Sequence, residues 1–449
     1  RMKTVSVKNR CKFSVDGKPA ARLESIPAPA HVSAIPHQIP LIRPRLLVKP
    51  NDSVKLGTPL IEDKGNPNLK LLSPGGGHVM DIQYGPRRVI EAIIIKIAPD
   101  EPYFEFPVID ETQIFGMGRE EIINALMARG LWPFIRSIPF KGVADPEESP
   151  AAVWVPLDIL DPFHPHSDVY LAEGPAKEQF LFGIKVLQKL TGRVYVCEHT
   201  ERPVPDERLR QVVTHRAAGP FPAADPGVMH YQTKQSAKEN RAWYVTGQDV
   251  LLLAEGLLTG RYPTARVMTV SGGHPDNRRH VRTRIGAPLK SLVKQIDSPA
   301  AYRWVAGGLF TGYNAAPDGF MGLYETALML VPEVTEKELL GFARPGLKKP
   351  TSSRTFLSAI TRPTLTVDAD RHGELRACVN CSYCAAICPV GILPQYTYKC
   401  IYAEEIEEAL AHGLLDCVEC GLCSYVCPSK IELTETFKDT KHKYYWGKI

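Results

Sequence analysis

Between residues 45 and 98 short apolar stretches alternate with turn formers. Val48, Val54, Leu56 and Leu60 are separated by Pro50-Asn51-Asp52-Ser53 and Gly57-Thr58-Pro59. Leu72 is followed by Ser73-Pro74-Gly75-Gly76-Gly77. Short strands punctuated in this way predict a small β-sandwich barrel. From about residue 111 the period lengthens. Arg119 to Arg129 and Phe180 to Leu190 have helical spacing, while 151–157 and 194–197 are continuous apolar runs. A helix between two such runs predicts a βαβ unit on a parallel sheet. Arg266 to Ile296 reads as strand, Gly-Gly turn, basic loop and then a helix from about Pro288. Pro394 to Leu415 carries helix formers at three- and four-residue spacing and predicts one helix. The fold class is multidomain, α/β and α+β.

Composition adds little to this. Of 449 residues 44% are hydrophobic and 23% charged, with a net charge of +5. That suits several cores and does not point to nucleic acid, for which Lys and Arg should cluster on one element. The most apolar stretch, Val89 to Ala98, is interrupted by Glu91 and Lys96. It is shorter than the about 20 residues a membrane span needs.

The cysteines change the picture. Eleven are present. Cys11, Cys197 and Cys400 are scattered, but the other eight fall into two identical runs, C-x2-C-x2-C-x3-C-P. The first is Cys378, Cys381, Cys384, Cys388 and Pro389; the second is Cys417, Cys420, Cys423, Cys427 and Pro428. Three thiolates at this spacing can wrap one face of a [4Fe–4S] cube if the backbone curls, and the fourth reaches the other cube. Cluster 1 is therefore expected on Cys378, Cys381, Cys384 and Cys427, and cluster 2 on Cys388, Cys417, Cys420 and Cys423. Zinc sites use paired knuckles instead. Thiolates of this kind need a reducing compartment. Cys400 fits neither pattern and is expected to be an ordinary thiol.

Other features read more plainly. Gly75-Gly76-Gly77 lacks phosphate-loop spacing and predicts a hairpin turn. Gly116 and Gly118 before a helix are weak evidence of an anion site. Lys64, at a hairpin tip, is read as a turn lysine. His164, His166 and His230 show no ligand spacing. Arg278, Arg279, His280, Arg282 and Arg284 are read as a solvated or partner-facing loop, Glu404, Glu405, Glu407 and Glu408 as a solvated helix face.

Residues 415–431 closely resemble the second cluster loop of the C subunit of the Rnf electron-transport complex. The first 350 residues are more similar to the A subunit of the Na⁺-translocating NADH:quinone reductase. The matching pieces are 62–67, Gly130-Leu131-Trp132-Pro133-Phe134 continuing to Phe140, 219–223 and 340–346. The resemblance implies a lipoyl-like barrel (1–110) and an α/β domain like the flavoprotein subunit of complex I (111–262). A β-grasp (SLBB) domain (263–342), a linker (343–370) and a dicluster ferredoxin module with its tail (371–449) follow. Rnf-type C subunits bind FMN and NADH through a Gly-rich loop. Here bulky residues and Arg136-Ser137-Ile138 stand in its place, which argues against FMN and NAD(H) in this chain. The implied function is electron transfer through two [4Fe–4S] clusters in a membrane-associated Rnf/Nqr-like oxidoreductase complex. Its place would be cytoplasmic, peripheral on the inner face of the membrane. Partners would be the flavin- or quinone-bearing membrane subunits, with soluble ferredoxin or a flavoprotein as donor. The alternative is an autonomous NAD(P)H- or flavin-dependent oxidoreductase.

Overall fold

The computed structural model describes residues 2–8, 15–20, 22–159, 161–172, 174–334, 345–347, 356–361, 364 and 366–448. Cys11, much of the 343–370 linker and most of the 340–346 match lie outside them.

The barrel is built from two antiparallel sheets. One runs in the order His31–Ala34, Ile90–Ile97, Gly77–Tyr84, Ser53–Val54, and the other Pro44–Leu46, Pro59–Asp63, Lys70–Leu72. Val32, Leu60, Ile61, Val79, Ile93 and Ile95 fill the space between them. The Gly-rich turn opens directly into a strand. A Cβ on Gly77 would stand 2.0 Å from the Lys96 carbonyl oxygen, so only glycine lets the two chains meet there. The Val89–Ala98 stretch is mostly the central strand Ile90–Ile97.

The chain's first strand does not join this barrel, although a barrel spanning 1–110 is expected. Lys3–Ser6 pairs in parallel with Val213–Ala218, and Leu23–Ser25 pairs with Arg279–Arg284 in a different sheet. These short strands lack the turn punctuation of 45–98 and complete the edges of sheets whose partners lie far along the chain.

The α/β sheet has the order Lys3–Ser6, Val213–Ala218, Val194–His199, Val153–Pro156, Ala242–Tyr244, Arg136–Ile138. Its first five strands are parallel and the last is antiparallel. Val153–Pro156 is buried along its whole length, as a parallel strand covered on both faces must be. Helices Ala176–Leu190 and Gly247–Thr259 pack against each other beside it.

A third sheet of six strands has the order Tyr313–Ala315, Tyr302–Ala306, Ala327–Pro332, Ala265–Gly272, Arg279–Arg284, Leu23–Ser25. Its core includes Met268, Val270, Trp304, Leu328 and Leu330. The basic segment is not a free loop. Most of it is a strand, and its charges are matched within the chain: Arg278 to Asp16, Arg279 to Glu24 and Arg284 to Glu101, each 2.7–2.8 Å. His280 is buried against Thr269.

The C-terminal module contains helices Tyr383–Ile387, Pro394–Tyr402, Ile406–Ala411, Leu422–Tyr425 and Leu433–Tyr445 around Ala409, Leu414, Ile431, Leu433 and Phe437. Two helices replace the single one expected between the cysteine runs. Glu404 has a left-handed backbone (φ 63°), and the chain turns there. Among the described residues no helix is long and apolar enough to cross a membrane.

Candidate functional site

Each cysteine run uses the same backbone device. The residues flanking its second cysteine are left-handed: Asn380 (φ 54°) and Ser382 (φ 62°) around Cys381, Glu419 (φ 54°) and Gly421 (φ 80°) around Cys420. A left-handed step costs a non-glycine residue roughly 1–2 kcal/mol. Four left-handed steps at equivalent places, three of them on non-glycine residues, mean that the curl is imposed by the loop. A short helix follows each curl, Tyr383–Ile387 and Leu422–Tyr425, and carries the third cysteine.

The curls sort the eight cysteines into two cavities. Cys378, Cys381, Cys384 and Cys427 line one, with Gln395 and Leu433 in its wall. Cys388, Cys417, Cys420 and Cys423 line the other, closed by Val390, Leu422 and Phe437. In each, three cysteines come from one run and the fourth from the other. Among the described residues no three His, Cys, Asp or Glu side chains close on a single ion. Cys400 lines neither cavity, and Cys197 lies in a strand of the α/β sheet.

The two cavities differ in surroundings. Cys381 is exposed, and Leu375 and Val379 beside it are 66% exposed, so the first cavity faces solvent. The second is turned inward. Gln232 donates to the Pro389 carbonyl at 3.1 Å, Lys234 pairs with Asp416 at 2.7 Å, and Lys141 donates to the Val418 carbonyl at 2.6 Å. Lys441, from the last helix, is 1% exposed. It donates to the carbonyls of Pro139 (2.7 Å) and Cys417 (3.0 Å) and to the Glu419 carboxylate. Phe310 of the third-sheet domain stacks on Phe221 (5.4 Å) and meets Tyr425 edge-on (5.3 Å), so three domains converge beside the inner loop. Gly421 sits against Phe310, where a Cβ would come within 2.3 Å of its carbonyl oxygen.

Burial pushes the thiols upward, Cys384 and Cys417 to about 11 and Cys423 to about 12. These three thiols are therefore neutral when free, and binding iron must displace their protons. Polar groups stand ready at the sulfurs. The Glu419 amide donates to Cys417 Sγ (3.4 Å) and Thr434 Oγ1 lies 3.4 Å from Cys423 Sγ, while Gln395 Oε1 accepts from the Cys384 thiol (3.3 Å). Thr434 and Gln395 carry no pattern in the sequence; their position on the two helices that flank the cavities is what places them.

The remaining candidates are dispersed. His164 binds Thr326, His166 faces Asp158 at 3.6 Å, and His230 lies between Trp154 and the Glu239 carbonyl. Lys64 is exposed in its turn. Leu131, Trp132 and Phe134, which stand where a glycine loop would be needed, are fully buried in the α/β core.

Known proteins resemble the chain along most of its length. Residues 5–98 match the family described as the NqrA N-terminal barrel-sandwich hybrid domain, and 117–262 the NqrA second alpha/beta domain. The A subunit of the Na(+)-translocating NADH-quinone reductase of Rhodopirellula baltica is 30% identical over 418 residues, 91% of either chain. The chain belongs to the NqrA family. The Vibrio alginolyticus member is 31% identical over 416 residues, 92% of either chain. Within the present NqrA-family chain, residues 374–431 match the 4Fe-4S dicluster domain. An NAD+-reducing [NiFe]-hydrogenase chain overlays 41% of the chain with a TM-score of 0.30 and 12% identity, too little to carry an argument. The chain is thus an iron–sulfur member of an oxidoreductase subunit family.

Proposed function

We propose that this NqrA-family protein relays single electrons through two [4Fe–4S] clusters, the outer held by Cys378, Cys381, Cys384 and Cys427, the inner by Cys388, Cys417, Cys420 and Cys423. What carries the reading is the pair of cavities, each walled by four cysteines drawn from both runs. The donor set fits a cube. A lone zinc ion, at Zn–S of about 2.3 Å, would need its thiolates to converge on one point, whereas these stand around a space. When bound, such clusters supply reversible one-electron transfer. The protein's part is to curl the loops, aim N–H and O–H groups at sulfur and set the dielectric around each site.

The outer site is the port for a soluble donor, a ferredoxin or a flavoprotein. The inner site, tied to the α/β domain, hands electrons onward to the flavin- or quinone-bearing subunits of an Nqr/Rnf-like membrane complex. The chain lies peripherally on the inner face of the membrane. On this reading the α/β domain is of the complex I flavoprotein type and the third sheet, with helix Leu289–Leu292, is a β-grasp (SLBB) domain.

The test is anaerobic reconstitution followed by iron and sulfide analysis and low-temperature EPR of the dithionite-reduced protein. Wild type should hold about eight irons, two four-iron clusters. Cys384→Ser and Cys423→Ser should each lose one of two distinguishable signals. A single cluster, or the same signal lost from both variants, sinks the assignment. Bleaching near 400 nm by NADH alone would favour the autonomous-enzyme reading instead.

A further inference from the structure

A second kind of cavity lies away from the cysteine pockets. A cleft of about 980 Å³ opens where the α/β domain, the third sheet and the inner cysteine loop meet. Arg136 is set into its wall by the strand Arg136–Ile138, directly after the buried Phe134 and Ile135.

The guanidinium is held between two rings, 4.6 Å from the centroid of Tyr244 and 4.3 Å from that of Tyr324. Both rings are fixed. Tyr244 is the ladder partner of Arg136, and Tyr324 donates its hydroxyl to the Pro133 carbonyl at 2.8 Å. Stacking occupies the faces of the guanidinium and leaves its N–H edge. Among the described residues nothing accepts a hydrogen bond from that edge, and the buried Nε has no partner. Two further buried atoms in the same cleft are also unpartnered, His164 Nε2 and Glu325 Oε2. Buried polar groups are normally satisfied, so three such atoms in one cavity mark a place shaped for something else.

We infer that this cleft binds an anion presenting two oxygens side by side, a carboxylate or a phosphate, with Arg136 as its fork. A planar, ring-clamped guanidinium matches that geometry with two parallel N–H bonds and loses little freedom in making them. Lys141 stands nearby as a second cation, although Asp225 and Glu419 face it and Asp249 acts on Arg136, and burial raises the Glu325 carboxyl and so weakens it as a competing charge; the fork geometry, not net charge, is what selects the anion. The cleft has room for an organic body behind the anionic head, and its floor reaches Lys441 and Glu419 of the inner cysteine loop. The site uses a segment whose bulky residues leave no glycine cradle: the anion meets a side chain rather than backbone amides.

The inference stands apart from the electron relay and is tested by a binding signal that does not depend on cluster content. The full chain is titrated calorimetrically with inorganic phosphate, with succinate and, at matched ionic strength, with chloride. Phosphate or succinate should bind saturably and chloride should not; whichever of the two binds names the head group. Arg136→Lys keeps the charge but loses the fork, and should weaken binding about tenfold, one charge-assisted hydrogen bond. Arg136→Gln should abolish it, with circular dichroism confirming that both variants remain folded. No saturation of wild type by either anion up to about 10 mM, or equal affinity in Arg136→Lys, overturns the inference.

Discussion

Replacing Lys441 with methionine should damage the module far more than its one charge suggests. The ammonium is almost fully buried and serves three acceptors, the carbonyls of Pro139 and Cys417 and the carboxylate of Glu419. Glu419 itself is enclosed. Burial alone would raise its pKa, but Lys441 and then Lys141 outweigh that and hold it below the usual carboxylate range. Removing one partner of a buried pair costs about 3–5 kcal/mol, because the other is left charged and unmatched. Lys141 remains to answer Glu419, so the lower end, about 3 kcal/mol, applies. For a module of about 80 residues 1 kcal/mol is worth roughly 4 °C or more, so its transition should fall by over 10 °C. Thermal melts followed by far-UV circular dichroism, with and without reconstituted clusters, measure this. Adding Glu419→Gln to the lysine variant removes the orphaned charge and should recover most of the loss. If Lys441→Met melts within about 2 °C of wild type, or the double variant melts no higher than the single, the buried pair is not what holds the last helix to the inner loop.

Two further outcomes follow from the same structure. Burial pushes His164, His215 and His280 each down to about 4, against about 6.5 in an unfolded chain. The folded protein therefore binds fewer protons in that window, and stability should fall as pH is lowered from about 6.5 to about 4. Denaturant midpoints should show the slope, and His280→Gln should flatten it; an unchanged slope in that variant would falsify the assignment. Gly421→Ala forces a side chain into a left-handed position and against the Phe310 carbonyl, so a loss of about 1–3 kcal/mol is expected from its melting curve, while Gly391→Ala, also left-handed but open on all sides, should lose less.

The sequence was most legible where chemistry and backbone obey one local rule. The repeated C-x2-C-x2-C-x3-C-P spacing marks both cysteine runs, and the left-handed curl around each second cysteine lies within them. The apolar run 151–157 and the helix ending at Leu190 likewise carry their own period. What could not be read is non-local. Lys3–Ser6 looks like any short polar-flanked strand, and only the free edge of Val213–Ala218 decides where it goes. Arg278, Arg279 and Arg284 read as a basic loop because Asp16, Glu24 and Glu101, which neutralise them, lie far earlier in the chain. The contacts of Lys141 and Lys441 could not be read for the same reason: each is defined by a carbonyl of the inner loop that it reaches from another element. The split of 394–415 into two helices turns on one left-handed residue, Glu404, which helix propensity alone would not single out.

Those two lysines also distinguish sites that the motif makes identical. The outer cysteines have solvent and exposed Leu375 and Val379 around them; the inner loop has two ammonium groups bonded to its carbonyls. Solvent screens charge at the first site and is largely excluded from the second, so a fixed cation counts for more there. A unit charge within about 8–10 Å at an effective dielectric near 20 is worth about 2 kcal/mol, which for one electron is on the order of 90 mV. Partial screening brings an expected shift of about 50 mV. On the relay reading, Lys141→Met should make the inner cluster harder to reduce by about that amount and leave the outer cluster within about 10 mV. An EPR-monitored redox titration resolves the two. Equal shifts in both potentials would mean that the lysine acts on the fold as a whole, and an unmoved inner potential would mean that burial, not charge, sets the difference between two loops of the same sequence pattern.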